Sequence, residues 1–298
     1  MGFIDAVPTW SGSTTKEDTK QILAKNIIPY LKARESSSPP IVPFEPWHGA
    51  TISLANNLST GELFPVADIW RIALLGTAVC GWSATKTGLE SPIVVLLSKA
   101  EGAPRNYTLV LLRMLSNAFA NKILARELLL SSRSSITAIL LAALSHEDAT
   151  VRTAAASLAF NMIAHLQRLR VEKVRGNSEG DDASENEEWE IEMAFGLLEA
   201  IEREKASEEI GAPSTNFGAK AESDYCTSGI VHRLTASLAL LIRLSPFLEQ
   251  LAQLLGALEA RKILKGKLEE GGCGDAAPGA VKKEIRKLIE EVAEKLCP

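Results

Sequence analysis

Apolar residues recur along this chain at intervals of three and four, the period of a helix, and strict alternation of strand type is scarce. Leu, Ala and Glu fill most of the repeating positions and aromatics make up only 5%, so the pattern predicts an all-α chain. Ile22, Leu23, Ile27, Ile28 and Leu31 share one face and predict an amphipathic helix over residues 16–34, behind a tail that ends near Ser13. Pro39, Pro40, Pro43 and Pro46 then interrupt helicity over residues 36–46. Beyond Trp47 the pattern predicts helices over 65–79, 91–99, 106–121, 124–130, 135–144 and 149–169. It predicts four more over 189–205, 225–244, 246–262 and 280–296.

Leu109-Val110-Leu111-Leu112 and the stretch from Ala154 to Phe160 are apolar almost all round, so these helices require neighbours on more than one side. Consecutive short helices of this kind form an armadillo- or HEAT-like superhelical stack or a large bundle. Residues 171–188 break the pattern with glycines, Asn177, Asp181, Asp182 and several glutamates, a composition too polar to offset its ordering entropy, and predict a flexible acidic loop. Two further loops are expected at 206–223 and 271–279. The resulting division is a tail, first helix and Pro-rich linker over 1–43 and one helical repeat domain over 44–298.

A net charge of −5 over 298 residues gives no reason to expect a nucleic-acid or anionic-membrane partner. Cys80, Cys226, Cys273 and Cys297 lie far apart, without metal-ligand spacing, and read as free thiols of a reducing compartment. The first residues lack a signal-peptide layout and no apolar run approaches the roughly 20 residues that span a bilayer. The expectation is a soluble cytoplasmic or nuclear protein. No G-x-S-x-G, Walker loop, H-E-x-x-H or dinucleotide fingerprint is present, so neither an enzyme nor a cofactor is expected. Cys226 and His232 are read as a core thiol and a capping histidine, Trp47 as a plug at the end of the repeat stack, and Trp70 and Trp82 as core. The basic and acidic residues over 280–296 are read as the solvated face of a capping terminal helix.

Three apolar helices carry isolated polar residues four apart, hence on one face: Arg113 and Asn117; Ser157, Asn161 and His165; Arg233 and Ser237. An unpartnered buried polar group costs about 1 to 3 kcal/mol, so each must bond a neighbour or line a wet surface. The asparagines fit either a brace between helices or a ligand contact. The arginines fit a surface that takes a carboxylate, which a guanidinium binds bidentately.

The segments Leu112-Arg113-Met114-Leu115-Ser116-Asn117-Ala118-Phe119 and Ser157-Leu158-Ala159-Phe160-Asn161 closely resemble paired stretches of the PUL domain of phospholipase-activating-protein homologues. Phe64-Pro65-Val66-Ala67-Asp68-Ile69-Trp70-Arg71 is similar to the start of that family's first inner helix, and Arg233-Leu234-Thr235-Ala236-Ser237-Leu238 to a late one. The resemblance implies an armadillo-like fold of about six repeats. Its basic concave groove would bind the acidic C-terminal tail of the valosin-containing AAA ATPase of the ubiquitin pathway, a tail that ends in a tyrosine and a carboxylate. Arg113 and Arg233 match the family's groove arginines, Asn117 and Asn161 its asparagines, and Arg71 and His165 complete the candidate peptide-binding set. The acidic insertion after Arg175 departs from the family, as does the lack of a WD-repeat or ubiquitin-binding segment upstream, so contacts to ubiquitin-pathway proteins are expected through other domains. The alternative from outside this resemblance is a HEAT-type scaffold that binds another protein along the same groove.

Overall fold

A computed structural model describes residues 2–5, 7, 9–11, 15–33, 44–176, 185–204, 219–269 and 279–297, and every regular element among them is helical. The chain divides into two compact units, Met1–Ile139 and Leu140–Pro298. Each is a set of stacked helices, consistent with a superhelical repeat arrangement.

The first unit begins with α1 (Gly2–Asp5) and α2 (Lys16–Gln21), which passes through a π-helical turn (Ile22–Ile27) into α3 (Ile28–Ala33). The opening residues, expected as a tail, are instead docked. Ile4, Ile27, Leu23 and Tyr30 are buried, and the Ser11 amide donates to Asn57 Oδ1 at 2.7 Å. Residues 34–43, the expected linker, lie outside the described residues. Next come α4 (Phe44–Asn57), α5 (Thr60–Ala73), α6 (Thr77–Ser83), a 3₁₀ turn (Gly88–Glu90), α7 (Pro92–Leu97), α8 (Arg105–Phe119), α9 (Lys122–Ser131) and α10 (Arg133–Leu144), within which the division between the units falls.

Two proline expectations fail, for different reasons. Pro46 sits in the first turn of α4, where its missing N–H has no intrahelical acceptor to lose, so the helix starts at Phe44. Pro65, expected to open a helix, lies inside α5, which starts earlier because Glu62 accepts from the Ser59 amide at 3.2 Å and the Ser59 hydroxyl at 2.7 Å. The predicted helix over 65–79 is in fact α5 and α6, bent by 114°.

Aromatic rings order the core of this unit. Trp47 and Trp70 are buried and stack at 4.0 Å, and Thr51 ties them by accepting from Trp70 Nε1 at 3.0 Å and donating to the Trp47 carbonyl at 2.9 Å. Trp82, expected as core, is only half-buried: it stacks on Phe44 at 5.0 Å, and the Lys86 ammonium sits 5.2 Å from its ring centre while bonding Glu45 at 2.9 Å.

The second unit holds α11 (Ala149–Val174), α12 (Glu187–Arg203), α13 (Ala219–Ile242), α14 (Leu248–Ala257), α15 (Ala260–Gly266) and α16 (Gly279–Lys295). Side-chain caps fix two of the starts: Asp148 accepts from the Thr150 amide at 2.8 Å and Asn186 from the Trp189 amide at 2.8 Å. Because α11 runs to Val174 and α12 starts at Glu187, the interruption expected over 171–188 is shorter at both ends, and residues 177–184 lie outside the described residues. So do 205–218 and 270–278, which hold most of the other two expected loops. The predicted helix over 246–262 is α14 and α15, separated where Glu259 adopts a left-handed φ of 51°. On α16, Ile285, Ile289, Val292 and Ala293 are buried while Lys283, Glu284, Lys287, Glu290 and Glu291 face solvent, as expected of a terminal cap. No single helix among the described residues is long and apolar enough to cross a membrane.

A charged network joins α11, α12 and α13. Arg170 and Glu190, 4% and 0% exposed, form an ion pair. Arg170 also donates to the Leu241 carbonyl at 3.0 Å, and Glu190 accepts from the Ser245 hydroxyl at 2.7 Å. Nearer the start of α11, Arg152 pairs with the buried Glu204 and donates to the carbonyls of His146 at 3.0 Å and Glu147 at 2.8 Å.

Arg170→Ala leaves Glu190 charged and buried, which costs about 3 to 5 kcal/mol. Urea unfolding of the variant is expected to show that loss, with most of it recovered in the Arg170→Met, Glu190→Leu pair; a loss below about 1 kcal/mol would contradict the role given to the network. Burial pushes the Cys80 and Cys297 thiols up to about 11, and Cys80 donates to the Leu74 carbonyl at 3.0 Å. With Cys226 and Cys273 replaced by Ser, the native protein at pH 8 is expected to resist a thiol-disulfide reagent and to release both thiols on unfolding; fast native labelling would show that these pockets open.

Candidate peptide-binding surfaces

In the first unit α5 and α8 lie side by side and parallel. Near their starts, a Cβ at Gly61 would stand 3.9 Å from Pro104 Cγ, and near their ends Asn117 Nδ2 donates to the Arg71 carbonyl at 2.8 Å. Asn117 is therefore a brace between the two helices, the first of the two roles its pattern allowed. Arg71 turns its guanidinium back along α5 to Asp68 at 2.6 Å, so most of its charge is neutralised within its own helix.

Arg113 is placed differently. It sits one turn before Asn117 on α8, is exposed, and makes no hydrogen bond or ion pair with any described residue. Its sequence neighbours Leu111, Leu112, Met114 and Leu115 are buried, whereas Asn106, Leu109, Val110 and Asn117 are exposed or half-buried, so Arg113 lies on the outward face of the helix. On α5 the outward positions include Phe64, 40% exposed, and Leu75 just past its end is 55% exposed. The period-based reading missed Phe64 as a surface residue because an apolar residue beside Leu63 and Val66 looks like core.

In the second unit the candidate residues belong to α11 and α13, whose C-terminal ends meet through the Arg170 bond to Leu241. Asn161 is half-buried on α11, next to Phe160, which is 36% exposed. Ser157, one turn earlier, donates to the Thr153 carbonyl at 2.8 Å. His165 was expected to share the ligand face with Asn161, but it is 2% exposed. Met162, Ile163, Leu166 and Gln167 are buried around it, because neighbouring helices cover this part of α11 over most of its circumference, and position 165 falls inside.

Arg233 is exposed on α13 and donates to the Gly229 carbonyl one turn back at 3.1 Å, leaving the rest of its fork facing outward. Ser237, buried, donates in turn to the Arg233 carbonyl at 2.7 Å. His232 is pushed below its ordinary value first by burial and then by the adjacent Arg233 charge, with Glu284 opposing, so it stays neutral near pH 7. Arg113 and Arg233 thus share one property in their separate units: each holds a guanidinium at the surface without a carboxylate partner among the described residues.

No group of three or more His, Cys, Asp or Glu among the described residues could hold a metal ion. No curated protein and no solved structure matches the chain. Residues 48–294 match the PUL domain, an interval that starts inside α4, ends inside α16 and contains every candidate residue described above. By that match the chain belongs to the PUL domain family.

Proposed function

We propose that this PUL domain is a non-catalytic adaptor that captures the acidic C-terminal tail of the valosin-containing AAA ATPase in the ubiquitin–proteasome pathway, on a frame of about six armadillo-like repeats. The observation that carries the reading is Arg113: an exposed guanidinium on an apolar helix, without a carboxylate partner among the described residues. A structural arginine in such a place finds a partner within the fold, as Arg71, Arg152 and Arg170 do here. An arginine kept for a ligand does not. The planar fork suits a terminal carboxylate or an acidic side chain, and Phe64 on the adjacent α5 offers an exposed ring to an aromatic residue of the same tail. Arg233 is the corresponding guanidinium of the second unit, and Asn117 braces the helix that presents Arg113.

Fluorescence anisotropy with a peptide copying the ATPase tail is expected to give micromolar affinity that weakens as salt rises. Arg113→Ala is expected to weaken binding about tenfold, some 1.4 kcal/mol, with an unchanged melting temperature; Arg233→Ala is measured in the same way. Unaltered peptide affinity in both variants, with the fold intact, would remove the guanidiniums from the site. Absence of binding to the unmodified domain would leave a scaffold for some other protein.

Asn117→Ala separates bracing from binding. It leaves the Arg71 carbonyl without its donor and is expected to cost about 1 to 2 kcal/mol in urea unfolding while changing tail affinity less than Arg113→Ala does. A stability loss near zero together with a large affinity loss would make Asn117 a ligand contact.

A further inference from the structure

Away from the residues considered so far, the second unit has an open cleft of about 530 Å³ between α12 and the α14–α15 turn. Phe195, Leu198, Leu258 and Ile263 supply its apolar walls. Phe195 is 47% exposed at its mouth, although α12 has ample buried positions in Met193, Ala194, Leu197 and Leu198. The volume falls in the range of clefts that hold a small molecule, which leaves room for a bulky side chain.

The charge around the cleft says which side chains. Along the outward face of α12, Glu188, Glu192, Phe195, Glu199 and Glu202 are all exposed and follow each other at spacings of four, three, four and three. Glu199 is paired with Arg203 at 2.7 Å, but Glu188, Glu192 and Glu202 make no ion pair with any described residue. The cleft's two lysines are already engaged: Lys262 bonds Glu259 at 2.8 Å, and Lys267 donates to the carbonyls of Glu202 at 2.8 Å and Glu204 at 2.6 Å. Helix stability accounts for Glu188, which lies in the first turn. It does not account for Glu202, since a carboxylate in the last turn opposes the helix dipole.

We infer that the α12 face with its cleft is a docking surface for a basic amphipathic helix of a partner protein. One bulky apolar side chain of that helix enters the cleft against Phe195 and Ile263. Its lysines or arginines, three and four residues apart on the same face, meet Glu192 and Glu202. A run from Glu188 to Glu202 spans about 21 Å, so the partner segment covers roughly four helical turns. The acidic face excludes nucleic acid and anionic lipid as occupants. This surface uses none of the residues proposed to hold the ATPase tail.

The probe is a labelled alanine-based peptide of about 18 residues with lysines at that spacing and one central leucine, titrated against the full chain by fluorescence anisotropy. Binding is expected at low ionic strength, weakening at least tenfold when salt is raised. It is expected to weaken at least tenfold again in Phe195→Ser, in the Glu192→Lys, Glu202→Lys pair, and when the peptide's leucine is replaced by serine. Arg113→Ala should leave it unchanged. Because Phe195, Glu192 and Glu202 are exposed, these variants keep their melting temperature, which is measured alongside. No binding, or binding that the glutamate pair alters while Phe195→Ser and the serine peptide do not, overturns the proposal, the latter by showing charge attraction without a cleft.

Discussion

The second unit depends on one buried ion pair. Arg170 on α11 and Glu190 on α12 meet where neither is hydrated, and each has a second partner: the last turn of α13 for the arginine, the Ser245 hydroxyl for the glutamate. Two charges in a low-dielectric interior are tolerable only when their remaining hydrogen-bonding positions are filled, and this network fills most of them from three different elements. The geometry then propagates. Ser245 also accepts from the Phe247 amide at 3.1 Å, immediately after Leu244, whose φ of 60° is costly for a branched side chain. The bonds that satisfy Glu190 thus hold the left-handed residue that ends α13 and turns the chain into α14.

The first unit reaches the same kind of order with rings. Trp47 and Trp70 stack with Thr51 tying their polar atoms, and Phe44 extends the aromatic cluster outward over Trp82. Phe44 and Trp47 precede the matched PUL interval, yet they supply half of this cluster, and the buried Ile4, Leu23, Ile27 and Tyr30 extend the core further toward the N-terminus. The matched interval therefore does not by itself contain all the apolar surface that closes this unit.

Helix content was legible because its cause is local: the apolar period alone located most of α7 through α13, and Asp148 and Asn186 stand where their helices begin. What escaped was set by context. A proline in a first turn removes no intrahelical bond, so Pro46 misled the reading, while the Ser59–Glu62 box starts α5 ahead of Pro65, which the helix carries in its interior. Spacing of four put Asn161 and His165 on one face, but only the packing of α11 decides that position 161 is half-buried and 165 interior. For Arg113 and Asn117 the same spacing correctly joined two residues of one face, and the hydrogen bond to the Arg71 carbonyl then separated their roles. The proposed ligand, in contrast, rests on family resemblance alone, since no period distinguishes a peptide surface from any other polar one.

Net charge conceals how unevenly the fold distributes it. The total of −5 gave no reason to expect a nucleic-acid or anionic-membrane partner, yet Arg113 presents an unpaired guanidinium on α8, while α12 gathers exposed glutamates around Phe195. Most ion-paired residues among the described ones neutralise each other within a helix turn or across two packed helices, as Arg203 and Glu199 or Lys265 and Glu294 do. Such pairs at the surface contribute little to stability, about 0 to 1 kcal/mol, and nothing to recognition once closed. The positions that carry information about partners are those left open. Both signs occur among them: Arg113 and Arg233 on the surfaces proposed for an acidic chain, and the glutamates of α12 on the surface proposed for a basic one, so the two proposed ligands carry opposite charge.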